Sequence, residues 1–116
     1  MSTKLTASAI TVISGDTLSI PITVLDDDDA AVDMTGATIA FAIVRRVGRT
    51  AAISTADSPQ TASAAIATSV VTVTVTAGNT EALHGTYQFE CKATDGSGNE
   101  AVIAYGSITF RVNQLD

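Results

Sequence analysis

Gly85-Thr86-Tyr87-Gln88-Phe89-Glu90-Cys91-Lys92-Ala93-Thr94-Asp95-Gly96 alternates cleanly at its centre, with Tyr87, Phe89, Cys91 and Ala93 apolar and Gln88, Glu90 and Lys92 polar. A period of two residues is that of a strand with one buried face. A glycine opens the run, an Asp-Gly turn closes it, and a second apolar run from Ala101 to Val112 follows at once. This order predicts an antiparallel hairpin, placed here at the centre of a β-sandwich against which the earlier strands pack.

The same period recurs upstream. Leu18, Ile20, Ile22 and Val24 share one face of a strand interrupted by Pro21. Proline cannot donate to a ladder, so that strand lies at an edge or turns the Pro21 nitrogen away from its neighbour. Ile39, Phe41 and Ile43 form a third inward set, and Val71, Val73 and Val75 a fourth. Leu5 to Ile13 reads as an edge strand with Ile10 and Val12 inward, and residues 50–68 as two short strands joined by an exposed loop. A single helical turn is expected at Glu81-Ala82-Leu83, with Leu83 plugging the end of the sandwich. In the last strand the apolar positions change from odd (Ala101, Ile103, Tyr105) to even (Ile108, Phe110, Val112) across Gly106, which predicts a bulge or bend there. About seven short strands, with turn signals about every ten residues, indicate an all-β sandwich or small barrel.

Composition bounds the function. The 116 residues make one domain, 1–116, large enough for a core, and hydrophobic residues are 46% of it. Aromatics are only 4% and tryptophan is absent, so Val, Ile, Leu and Ala must fill the interior. A formal net charge of −6 opposes binding to nucleic acid or anionic lipid. The lone cysteine excludes an internal disulfide, and its place on the inward face makes Cys91 a small buried hydrophobe. The first residues lack a continuous apolar stretch, and no segment approaches the ~18 apolar residues that cross a bilayer. A soluble product without a secretion signal is expected.

Candidate chemistry is sparse. Asp26, Asp27, Asp28 and Asp29, with Asp33 nearby, could offer oxygens to Ca²⁺, but their spacing matches no calcium loop, and a solvated turn is the simpler reading. Asp95-Gly96-Ser97-Gly98-Asn99-Glu100 lacks both the sixth-position glycine and the twelfth-position glutamate of such a loop and reads as a hairpin turn. Cys91 and His84 are the only thiol and imidazole, and on an extended strand they lie up to ~20 Å apart. A nucleophilic pair is not expected from them, and His84 reads as a turn residue. Arg45, Arg46 and Arg49 are the one basic cluster, either a solvated strand end or a set of guanidinium forks for carboxylates on a partner. Tyr87, at the start of its strand, resembles the tyrosine corner of immunoglobulin-like domains, a structural role.

Gly15-Asp16-Thr17-Leu18, Val32-Asp33-Met34-Thr35-Gly36-Ala37-Thr38, Gly85-Thr86-Tyr87-Gln88-Phe89, Thr94-Asp95-Gly96 and Gly106-Ser107-Ile108-Thr109 together span most of the chain. In this order they resemble the small immunoglobulin-like domains of tailed bacteriophages, notably the N-terminal domain of upper baseplate proteins and related tail and virion-surface proteins. The resemblance implies an immunoglobulin-like antiparallel β-sandwich and a non-catalytic structural module of the tail or baseplate region. It also implies assembly in the host cytoplasm into the virion, in multiple copies and against other virion proteins, with no cofactor and no catalytic residue. In larger baseplate proteins receptor-binding or linker regions follow the domain; a chain ending at Asp116 favours an adaptor, collar or decoration role. Capsid decoration at the head surface is the alternative location, and a carbohydrate-binding or adhesin module a further alternative. Sugar sites stack on exposed aromatic rings, of which this chain has few.

Overall fold

A computed structural model describes residues 6–45, 52–55 and 62–112. Its strands are β1 (Thr6–Ile13), β2 (Leu18–Thr23), β3 (Thr38–Val44), β4 (Ile53–Ser54), β5 (Ser63–Ala67), β6 (Val70–Val75), β7 (Gly85–Thr94) and β8 (Glu100–Arg111), with one helical turn, α1 (Ala77–Thr80), between β6 and β7. They form a five-stranded sheet in the order β1-β8-β7-β3-β4 and a three-stranded sheet in the order β2-β6-β5. All pairings are antiparallel except β1 with β8, which is parallel. Placing the second, sixth and fifth strands in one sheet and the third, seventh and eighth in the other is the partition of an immunoglobulin-type sandwich.

The inward faces close on each other as alternation requires. Leu18, Ile20, Ile22 and Val24 join Val71, Val73 and Val75 on the three-stranded side. Facing them are Phe41, Ile43, Tyr87, Phe89, Cys91 and Ala93, with Ile108 and Phe110 from β8. Each large aliphatic or aromatic side chain buried here contributes about 1.5–3 kcal/mol. The few rings are placed centrally: Phe41 and Phe89 lie 6.0 Å apart, and Tyr87 meets Phe110 edge-on at 5.6 Å. Ile39, Ile10 and Val12 are only partly buried, packed against the rim of this core.

Pro21 is accommodated by an edge. Val24 N–H donates to Ser69 O at 2.8 Å, which fixes the even-numbered positions of β2 as those bonded to β6. Pro21 is odd, so its nitrogen faces the open side of an edge strand, where no donor is needed.

Two expectations shift in place. The parity change in β8 occurs at Ile103, before Gly106: Cys91 pairs with Ala104 but Lys92 with Val102, leaving Ile103 unpaired in a bulge. Ile103 and Ala104 are therefore both buried, whereas Tyr105 turns outward at 44% exposure and Val112 stands at 63%. The helical turn forms at Ala77–Thr80, one turn earlier than expected at Glu81-Ala82-Leu83. Its cause is Thr80, fully buried, whose hydroxyl accepts from Gly15 N–H and donates to Asp16 O. Leu83 follows the turn and does close the end of the core. The two short strands expected within residues 50–68 are β4 and β5, while the loop expected between them lies outside the described residues.

The loops after β2 and β7 share one hydrogen-bond scheme. Asp26 Oδ1 accepts from the N–H groups of Asp28 and Ala30, and Asp95 Oδ1 from those of Ser97 and Asn99. In each loop the first residue's N–H meets the fifth residue's carbonyl, and the fourth residue's N–H meets the first residue's carbonyl. The fourth residue is left-handed in both, Asp29 at φ 62° and Gly98 at φ 85°. Glycine takes that conformation freely and a side chain does not. Gly98→Ala should lower the unfolding free energy by about 1 kcal/mol. Urea denaturation of this variant beside the parent checks the loss.

Candidate functional site

At the end of the sandwich that carries α1, four segments meet on a small set of side chains. Arg45, just past β3, lays its guanidinium over the Tyr87 ring at 4.7 Å. Its Nη2 donates to the Tyr87 hydroxyl at 2.9 Å and to His84 O at 3.1 Å. The tyrosine is buried and the arginine exposed, so the apolar ring fills the core while the charge stays in water. In an immunoglobulin tyrosine corner the hydroxyl bonds upstream backbone. Here Arg45 makes that link, joining the hydroxyl to the carbonyl three residues upstream.

His84 continues the cluster. Its Nδ1 lies 3.2 Å from Ser14 Oγ, and Ser14 Oγ in turn donates to Leu83 O. A hydroxyl has one proton. With that proton on Leu83 O, the Ser14–His84 contact is made with Nδ1–H as donor. The pair braces the β1–β2 turn against the approach to β7.

The cluster was only partly visible in the sequence. Tyr87, buried at the start of its strand, has the structural role expected of it, whereas His84 lies just before β7 and outside any turn. Ser14 and Thr80 give no signal in the sequence, since a short-range pattern says nothing of contacts across 60 or more residues. Of the basic cluster, Arg45 is engaged within the molecule, while Arg46 and Arg49 lie outside the described residues.

The carboxylates serve the loops that carry them. Among the described residues, no group of three or more His, Cys, Asp and Glu side chains is arranged to hold a metal ion. Asp95 is held below its ordinary pKa of 3.8, chiefly by the Asn99 backbone N–H, and Asp33 likewise by the Thr35 side chain and N–H. Their stabilisation is present above that ordinary value and lost as the pH falls through the lowered ones. Lys92 and Glu100 sit 3.9 Å apart on the outer face, both well exposed, a pairing of little energetic weight. Lys92 and Glu90 flank a shallow open groove over Ala40 and Ala42, bounded by Ser54 and Thr55.

Cys91 has no accessible surface, and burial pushes its thiol from 9.0 up to about 12. At neutral pH it is a core residue in protonated form, without the thiolate that reactivity requires. No helix among the described residues is long and apolar enough to cross a membrane. Compared with models of protein families and with curated proteins, the chain matches none.

Two outcomes follow from these contacts. Tyr87→Phe should cost about 1 kcal/mol, and Arg45→Ala a similar amount. The double variant should lose less than the sum, because both changes break one contact, which a double-mutant cycle in urea measures. For Cys91 the raised folded pKa means stability fully present below pH 9.0 and lost as the pH rises toward about 12. Maleimide should label the native thiol only as fast as the protein opens, and Cys91→Ala should be less stable at neutral pH yet flatter between pH 9 and 12.

Proposed function

We propose that this chain is a non-catalytic structural module of a bacteriophage particle, binding other virion proteins in the tail or baseplate region in multiple copies. The reading rests on the resemblance to small phage immunoglobulin-like domains. The observation that carries it furthest is how the polar side chains are spent. Ser14, Thr80, His84 and Arg45 brace one end of the sandwich, and Asp26 and Asp95 close loops at the other. Among the described residues, what is left for a partner is sheet surface and sheet edge. The outer face of the five-stranded sheet carries Thr86, Gln88, Glu90, Ser107 and Thr109, a polar surface suited to broad contact. Strand edges add backbone donors and acceptors.

Capsid decoration uses the same module at another place on the particle. Arg45, Arg46 and Arg49 are the cationic contacts proposed to meet acidic partners, with Arg45 presented from its stacked position on Tyr87. A carbohydrate-binding role has one ring to offer, Tyr105, which stands exposed on the outer face.

The test is composition and position. Mass spectrometry of gradient-purified particles made by the phage or prophage encoding the chain should detect it, and immunogold labelling should place it at the tail or baseplate. Gold over the capsid shell would move it to decoration, and absence from the particles together with micromolar glycan binding would replace the reading by the adhesin one.

A further inference from the structure

We propose that the outer edge of β1 is an interface occupied by a second copy of this chain, the two β1 strands pairing antiparallel about a two-fold axis near Ala9. The inference is independent of the virion assignment, because the isolated chain either forms this pair or does not. It starts from which backbone groups face outward. Ser14 N–H donates to Arg111 O at 2.7 Å, and the parallel register sets Ile13 beside Arg111. In a parallel pair alternate residues of one strand bond the neighbour. The even-numbered residues therefore bond β8, and Ala7, Ala9 and Thr11 direct both N–H and C=O to the open side. Ile13 also turns its N–H outward, while its carbonyl accepts from Asp16 N–H.

The same accounting separates β1 from the other free edges among the described residues. The outward positions of β2 are Ser19, Pro21 and Thr23, and the proline interrupts them with a missing donor. On β5 the pairing of Ala65 with Thr72 leaves only Ala64 and Ile66 outward, and β4 is two residues long. Edges are normally protected by charge, proline, a bulge or shortness. β1, eight residues reading TASAITVI, has none of these.

A second copy fits this edge for three reasons. An antiparallel pair about Ala9 sets each copy's Ala7 opposite the other's Thr11, so all three outward residues meet outward residues and the edge is its own complement. The chain carries a net charge of −6, so self-association is least opposed where acids are absent. β1 has no charged residue, and the adjacent β8 turns Ser107, Thr109 and Arg111 to the same outer face. Ala9 and Thr11 are small, which lets the strands approach to ladder distance. The pair would join two five-stranded sheets into one continuous sheet.

Sedimentation velocity on the purified chain, from micromolar to millimolar concentration, should give a concentration-dependent dimer. Ala9→Pro removes a donor with no partner among the described residues, and Ala9→Lys puts like charges directly opposite each other on the axis. Each should raise the dimer dissociation constant at least about tenfold while the β-type circular dichroism is kept. Should the proline variant fail to fold, the lysine variant decides. A parent that stays monomeric to millimolar concentration, or a dimer that persists unchanged in folded Ala9→Lys, overturns the proposal.

Discussion

The meeting of two apolar faces is the constraint from which the remaining structure follows. Tyr87, Phe89, Cys91 and Ala93 on β7 have to be covered, and in a chain without tryptophan the cover is supplied by β-branched aliphatics on β2 and β6. Valine is too small to close a gap by itself, so Val71, Val73 and Val75 form an even floor, with Phe41, Phe89 and Phe110 providing bulk from the opposite sheet. This division explains why so few aromatics suffice. It also explains why they are all inward except Tyr105, which the bulge at Ile103 turns to solvent.

Burial of one face commits the register and leaves the ends of the sandwich to be solved by other means. At one end the solution is a web of hydrogen bonds between segments far apart in the chain, running from the β1–β2 turn through Thr80, Leu83 and His84 to Arg45 and Tyr87. At the other it is local: one aspartate in each loop accepts two backbone N–H groups and closes a five-residue turn. Only the first residue of the acidic run, Asp26, is required by that scheme, which is why a very different sequence, Asp95-Gly96-Ser97-Gly98-Asn99, builds the same loop.

What could be read in advance follows from the range of each interaction. Strict alternation named the inward residues of β2, β6 and β7, because a period of two is written in adjacent positions. It misplaced the bulge in β8, because Ile103 and Ala104 are both apolar and a slip between two apolar residues leaves no mark on the pattern. The helical turn was displaced for a different reason: the contacts that fix it join Thr80 to Gly15 and Asp16, and no local preference encodes them. Likewise Arg45 was legible as a cation but its stacking on Tyr87 was not, since the two meet only after β3 and β7 have paired.

The parallel pairing of β1 with β8 has a mechanical consequence. Thr6 begins one strand and Arg111 ends the other, and the two strands run side by side in the same direction. Tension applied between these points pulls the strands past each other along their length. The ladder between them is then strained all at once in shear, where an antiparallel hairpin pulled at its open end would unzip bond by bond. Such a seam gives a small domain resistance to pulling that its modest core would not by itself provide.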